Sequence, residues 1–311
     1  MEYQTSNSNP FIDPTHAVWG WEIPLYLFLG GLVAGMMVIS GYFHVSGRWR
    51  QADCVCRQLA LPSLVLLSLG MLALFLDLEH KAYFWRLYLT FQPTSPMSWG
   101  SWILLLVYPA LLANLALHLP AGLVQRQPEW QARREALLAR PSFVRGMGVA
   151  NMGLGILLGI YTGILLSSLG ARPLWNSAIL GPLFLVSGLS TAAALVHMLA
   201  KNTWEREALA KVDTGLLGVE LLFIALFFIG LFSAGQAHSE AAALLLGGPY
   251  TAPFWVFVVG VGIVVPLFIQ PLAFSHRIQH TAVAPILVLA GGLALRFVLV
   301  YAGQHSGYSP I

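Results

Sequence analysis

Residues 13–35 read DPTHAVWGWEIPLYLFLGGLVAG, a polar approach carrying a histidine that runs straight into an apolar helix with one carboxylate near its start. His16, Trp19, Glu22 or Ile23, and Tyr26 fall at three- to four-residue steps, so a helix through them places them on roughly one face. A carboxylate about one and a half turns inside a membrane helix costs on the order of 2 to 4 kcal/mol unless something solvates it. Glu22 therefore marks the mouth of this span as a candidate site.

Outward from that stretch, the whole chain has the composition of a membrane protein. Hydrophobic residues make up 57% of it and charged residues 9%, and the mean hydropathy is +0.73. Soluble domains run at about 45–50% apolar and about 25% charged. The small positive excess is not a nucleic-acid signature, because its placement has a better explanation. Residues 1–15 are polar and lack the basic region that precedes a cleavable signal core.

Eight apolar segments can be drawn, near residues 18–43, 59–78, 99–122, 146–169, 177–200, 214–234, 253–274 and 282–303. The basic residues sort between the connections. Arg48, Arg50 and Arg57 follow the first segment, and Arg126, Arg133, Arg134, Arg140 and Arg145 follow the third. Lys201, Arg206 and Lys211 follow the fifth, and Arg277 follows the seventh. The other side has Lys81, Arg86 and Arg172, while Arg296 lies within the last segment. By the positive-inside rule both termini face away from the cytoplasm. The expected architecture is thus an all-α integral membrane protein with eight transmembrane helices and both termini on the outer, periplasmic side.

This orientation assigns each polar residue a depth. His16, Glu22, Asp77, Tyr161 and Arg296 fall in or beside the outer third of the bilayer; Asn114, His118, Asn151, His197 and Glu220 fall towards the cytoplasmic half. Gly31 with Gly35, and Gly155, Gly159 and Gly163, recur at four-residue spacing, which lets helix backbones approach closely. Pro24, Pro109, Pro182, Pro266 and Pro285 can kink helices and free carbonyls. Cys54 and Cys56 share a short basic loop; two thiols do not complete a zinc or iron–sulfur site, so they are expected to be separate, reduced loop thiols. The long outer connection between segments two and three, EHKAYFWRLYLTFQPTSPMSW, has the aromatic content of a membrane interface and the length to dock a peripheral partner.

The outer cluster joins an imidazole, carboxylates (Asp13, Glu22, Asp77), a phenol and a guanidinium. A quinone head group needs hydrogen-bond partners for two oxygens and titratable groups to exchange two protons. A packing role competes with this, in which Arg296 neutralises Glu22 or Asp77. His118 and His197 are the one histidine pair at matched depth for haem b ligation. The cytoplasmic-side residues Asn114, His118, Asn151, His197 and Glu220 suit either a water-filled proton path or separate interhelical hydrogen bonds. No G-x-S-x-G, P-loop or H-E-x-x-H is present. An ion or solute transporter is the remaining alternative, since it too uses intramembrane charges and broken helices.

The run WGWEIPLYLFLGGLVAG at residues 19–35 resembles the first membrane helix of the NrfD/PsrC family, the quinone-interacting membrane subunits of polysulfide reductase and related complexes. LDLEHKAYFWRLY with SPMSWGSW through Trp102, YTGILLSS from Tyr161 and PLFLVSGLSTAAAL from Pro182 resemble the same family. Together these cover most of residues 13–196, and Arg296 with Gly303-Gln304 extends the match.

The resemblance implies two four-helix bundles, residues 1–170 with the quinone site and residues 171–311. It implies exchangeable menaquinone or ubiquinone, no haem or iron–sulfur cluster in this chain, and residence in the bacterial inner membrane. It further implies an iron–sulfur partner on the outer face that relays electrons to a molybdopterin catalytic subunit. In the family pattern a quinone is contacted by an Asn, a His three residues on, and a Tyr of the fourth helix. His16 and Tyr161 resemble the last two, while Asp13 stands where the Asn would be and can only accept a hydrogen bond while ionised. Glu22, Asp77 and Arg296 are then the proton-exchange candidates. Glu79, His80 and Lys81 replace a Gly-Arg-Pro found in many relatives.

Overall fold

The computed structural model describes residues 19–51, 53–119, 128–274 and 281–307. Asp13 and His16 lie outside the described residues. Eight of the described helices are long and apolar enough to cross a membrane. They are α1 (Glu22–Val45), α2 (Ala60–Asp77), α3 (Pro96–Leu117), α4 (Pro141–Ser167), α5 (Leu180–Leu199), α6 (Thr203–Ala234), α7 (Pro253–Leu272) and α8 (Val283–His305). Each forms because a lipid-facing backbone must satisfy its polar groups internally, which a helix does along its whole length.

α6 begins at Thr203, eleven residues before the apolar run at 214. Asn202 caps it by accepting a hydrogen bond from the Trp204 N–H at 3.0 Å, so polar residues form its first turns. This extension places Asp213 inside a buried helical segment rather than in a loop.

The five prolines fall into three situations. Pro24, Pro182 and Pro285 lie in first turns, where their missing N–H has no intrahelical partner to lose. Pro109 is interior to α3. Pro266 follows a π-helical stretch, Pro253–Val264, at the point where α7 returns to α-helical winding.

The helix α1 is the central element: 83% of its apolar window is buried, and it packs against α2, α4, α5 and α8. α5 in turn contacts α1, α4, α6 and α8, so the packing runs across residue 170 rather than stopping there.

Small residues make this possible. A Cβ on Gly35 would come within 2.5 Å of the Gly188 carbonyl oxygen, and one on Gly188 within 2.6 Å of the Gly31 carbonyl oxygen. Gly155 of α4 presses equally closely on Ala34. Lipid supplies no hydrophobic drive between helices, so such contacts hold them through dispersion and close backbone approach.

At the basic end, Trp49, Cys54, Val55, Cys56 and Leu59 tuck the first connection against α1 and α5. Cys54 and Cys56 are buried there with their sulfurs in disulfide contact, not separate as expected.

At the opposite end, Gln304 of α8 clamps the backbone of Trp19. Its Oε1 accepts from the Trp19 N–H at 2.7 Å, and its Nε2 donates to the Trp19 carbonyl at 2.9 Å. Trp19 stacks on Trp175 at 5.2 Å, and the Trp175 indole donates to the Leu299 carbonyl.

Replacing Gly35 with Val should destabilise the protein by about 1 to 3 kcal/mol through overpacking. Gly153→Ala, where an added Cβ meets nothing within 4 Å, should stay within about 0.5 kcal/mol. Unfolding in detergent micelles measures both.

Candidate functional site

At the end of the protein opposite the basic connections, three helices and a loop place acidic and phenolic groups together. Glu22 occupies the first turn of α1 and is partly buried. One turn further in, Tyr26 is buried, and its phenol lies close enough to that of Tyr161 on α4 for the two to interact. Asp77 ends α2, within electrostatic range of Glu22 and Lys81. Lys81 donates to the Leu78 carbonyl at 2.9 Å, which folds the chain back over the end of α2.

Tyr161 keeps its place because Gly100 of α3 has no side chain. A Cβ there would overlap the phenol ring and its hydroxyl. Tyr88, on the short helix Arg86–Leu89, lies near enough to interact electrostatically with both Tyr26 and Tyr161. Burial pushes the Tyr88 phenol up from its ordinary range, with Tyr108 contributing. Ser101 holds the loop over this group by donating to the Leu87 and Ser98 carbonyls.

The described part of the site is thus a wall of phenols and carboxylates. It can donate and accept hydrogen bonds at one level and exchange protons one turn above. Asp13 and His16 lie outside the described residues, but the Gln304 clamp fixes Trp19, three residues after His16.

Arg296 is elsewhere. It is fully buried on α8, and its guanidinium donates to Ser187 Oγ, to the Gly292 carbonyl at 3.1 Å and to the Phe184 carbonyl at 3.1 Å. It also lies over the Phe184 ring, 4.9 Å from the centroid. Glu220 of α6 lies on the other side of Ser187 and interacts electrostatically with both Ser187 and Arg296. The serine hydroxyl therefore stands on α5 between guanidinium and carboxylate. The structure brings Arg296 to Glu220, not to Glu22 or Asp77.

Two turns along α6 from Glu220, Asp213 is buried on the same face. It accepts from Ser190 Oγ at 2.5 Å and from Gln270 Nε2 of α7, whose Oε1 in turn accepts from Thr214 at 2.7 Å. The i, i+7 spacing of Asp213 and Glu220 is legible in the sequence once α6 is known to start at Thr203.

A third polar group sits between α1, α3 and α4 at the basic end. Asn114 donates to Ser40 Oγ at 3.3 Å, and His118 meets His44 of α1, Nε2 to Nε2, at 3.4 Å. Burial pulls the His118 pKa down to about 4, helped by His44, Arg57 and Arg134. Asn151 is buried on α4 with both amide atoms lacking hydrogen-bond partners. His197 is buried near the end of α5. Sequence reasoning thus groups Glu220 with residues from which the structure separates it, and it misses Tyr88, Ser187, Asp213 and His44. Tyr26, one turn from Glu22, is the missed partner that helical spacing points to.

The family profile described as "Polysulphide reductase, NrfD" matches residues 9–306. The C subunit of polysulfide reductase from Wolinella succinogenes is 31% identical over 304 residues, covering 92% of this protein and 94% of the relative. Protein NrfD of Escherichia coli is 32% identical over 307 residues, covering 92% and 95%. The Hdr-like menaquinol oxidoreductase integral membrane subunit of Archaeoglobus fulgidus is 24% identical over 299 residues, covering 91% and 69%.

Removing either member of the buried Arg296–Glu220 couple, by Arg296→Met or Glu220→Gln, should cost about 3 to 5 kcal/mol. The double variant should cost clearly less than the sum. A double-mutant cycle on unfolding in detergent checks this, and additive losses would show the two groups to be independent.

Proposed function

Because the chain belongs to the NrfD family of multi-pass bacterial inner-membrane proteins, we propose that it is the membrane subunit of a respiratory oxidoreductase, exchanging electrons and protons with quinol at its outer face. The observation that carries this reading is the Tyr26–Tyr161 phenol pair beneath Glu22, with Asp77 within electrostatic range of that carboxylate. A relative whose name includes menaquinol oxidoreductase, and another that is a polysulfide reductase subunit, support it.

In this reading the basic connections face the cytoplasm, and residues 1–18 approach from outside. Quinol, when bound, supplies two electrons and two protons. Tyr161 and His16 hold its two oxygens, and Asp13 accepts a hydrogen bond from a hydroxyl. Tyr26 orients the Tyr161 hydroxyl, and Gly100 leaves the space that hydroxyl occupies. Glu22 takes up the two released protons one after the other, one turn nearer the surface, and Asp77 passes each outward. An iron–sulfur subunit docked on the exposed aromatic connection, where Tyr83, Phe84, Trp85 and Leu89 are solvent- or partner-facing, receives the electrons and relays them to a molybdopterin subunit. The terminal substrate is chosen there, not in this chain.

The buried couples offer a path for protons from the other side. Asp213, hydrogen-bonded to Ser190 and Gln270, and then Glu220, beside Ser187 and Arg296, form two polar stations along α6. Asn114, His118 and Asn151 form a separate polar group at the basic end. Glu220→Gln should lower the proton-to-electron ratio in liposomes, and an unchanged ratio would count against the path.

For the head-group site, His16→Ala should abolish quinol-dependent turnover while the complex still assembles. Tyr161→Phe should lower turnover roughly 10- to 100-fold, and Gly100→Ala should approach the same loss by displacing the phenol. Normal turnover in His16→Ala would sink the assignment.

A further inference from the structure

The His44–His118 contact is not explained by packing. His44 Nδ1 lies 2.6 Å from the Ser40 carbonyl oxygen, and His118 Nδ1 lies 3.0 Å from the Asn114 carbonyl oxygen. A carbonyl oxygen only accepts, so both Nδ1 atoms carry hydrogen and donate. When both rings are neutral, each then directs a bare Nε2 lone pair at the other across 3.4 Å, and a shared proton or a cation is what joins them. Lone pairs so placed repel unless something electron-poor lies between them.

We propose that His44 and His118 form a binding site for a divalent transition-metal ion of the zinc type, tying the ends of α1 and α3 together. Zinc binds imidazole nitrogen at about 2.0 to 2.1 Å, and a tetrahedral angle between two such bonds separates the nitrogens by about 3.3 to 3.4 Å. The observed spacing needs no rearrangement to match. Donation of each Nδ1–H to a backbone carbonyl is the outer-shell bond that fixes the tautomer and orientation of metal-ligating histidines.

A second observation points the same way. Asn114 is buried, and its Oδ1 has no hydrogen-bond partner. It lies one helical turn from His118 on the same face, where it can accept from water bound to the ion. A cavity of about 240 Å³, lined also by Ser46, Trp49, Arg50 and Arg145, reaches the His44 side of the pair. Arg57 and Arg134 act on His118 electrostatically and oppose added positive charge. The site is therefore an exchangeable one, weaker than four-ligand structural sites. Among the described residues no group of three or more His, Cys, Asp or Glu could hold a metal, so water completes the coordination. This proposal stands apart from the quinone reading and uses none of its residues.

The test uses the assembled complex in detergent, stripped with chelator and titrated with zinc chloride. One zinc per copy of this subunit should bind at least tenfold more weakly in both His44→Gln and His118→Gln. Sites on partner subunits cancel in the difference between wild type and variants. Unchanged affinity in either variant, or no zinc bound by the wild type, overturns the proposal. Should the variants fail to assemble, zinc X-ray absorption of the wild type decides. An imidazole shell at about 2.0 Å that is absent from complex lacking zinc supports the pair, whereas a sulfur shell at about 2.3 Å places the ion elsewhere and overturns it.

Discussion

The backbone contact of α1 with α5, at Gly31, Gly35 and Gly188, is the constraint on which the rest of the structure depends. In lipid the separated helices lose nothing by staying apart hydrophobically, so association rests on close packing and hydrogen bonds. Glycine at these positions brings the two backbones near enough for both. It also leaves room beside Gly31 for the Arg296 guanidinium, whose Nη2 would lie 3.3 Å from an added Cβ. The buried cation is thus housed by the same glycines that join the helices.

From that contact two polar regions follow with different characters. Around α1 and α4, the groups near the surface are partly exposed, one turn apart and backed by phenols, which is how a site that exchanges protons with solvent is built. Around α5, α6 and α8, the groups are buried among serine and glutamine side chains, and the Arg296 Nε alone of that guanidinium's nitrogens has no hydrogen-bond partner. Burying ions there is expensive, and the cost is offset only by several hydrogen bonds per group. Arg296 has three acceptors and an aromatic face. Asp213 has two donors.

Much of the fold was legible in the residues. Eight spans, the close-packing glycines and the amphipathic first turn of α1 follow from apolar run length, small-residue spacing and helical periodicity. The start of α6 was not, because Thr203 to Asp213 reads as a polar connection by composition. Its capping by Asn202 and its burial against α5 and α7 override that composition. The pairing of residues was the weakest inference. Depth along the membrane normal is readable from charge placement, yet two residues at one depth can face different neighbours. Arg296 and Glu22 are the instance: their shared assignment to the outer third said nothing about which helix face each would present.

What the sequence determined by itself is therefore one-dimensional: how many times the chain crosses, where each crossing lies, which end carries the basic loops, and which residues are too polar to be there without a reason. Family membership follows from the same source, through motifs at residues 19–35 and beyond. Which polar residues meet was decided only by the tertiary structure. It set Tyr26 against Tyr161, Ser187 between Arg296 and Glu220, and His44 against His118. The physical reason is that each helix can rotate about its axis at no cost in hydrophobic pattern when lipid surrounds it. Only the steric fit of glycine against backbone, and of phenol against the bare Cα of Gly100, selects the rotation that brings these groups together.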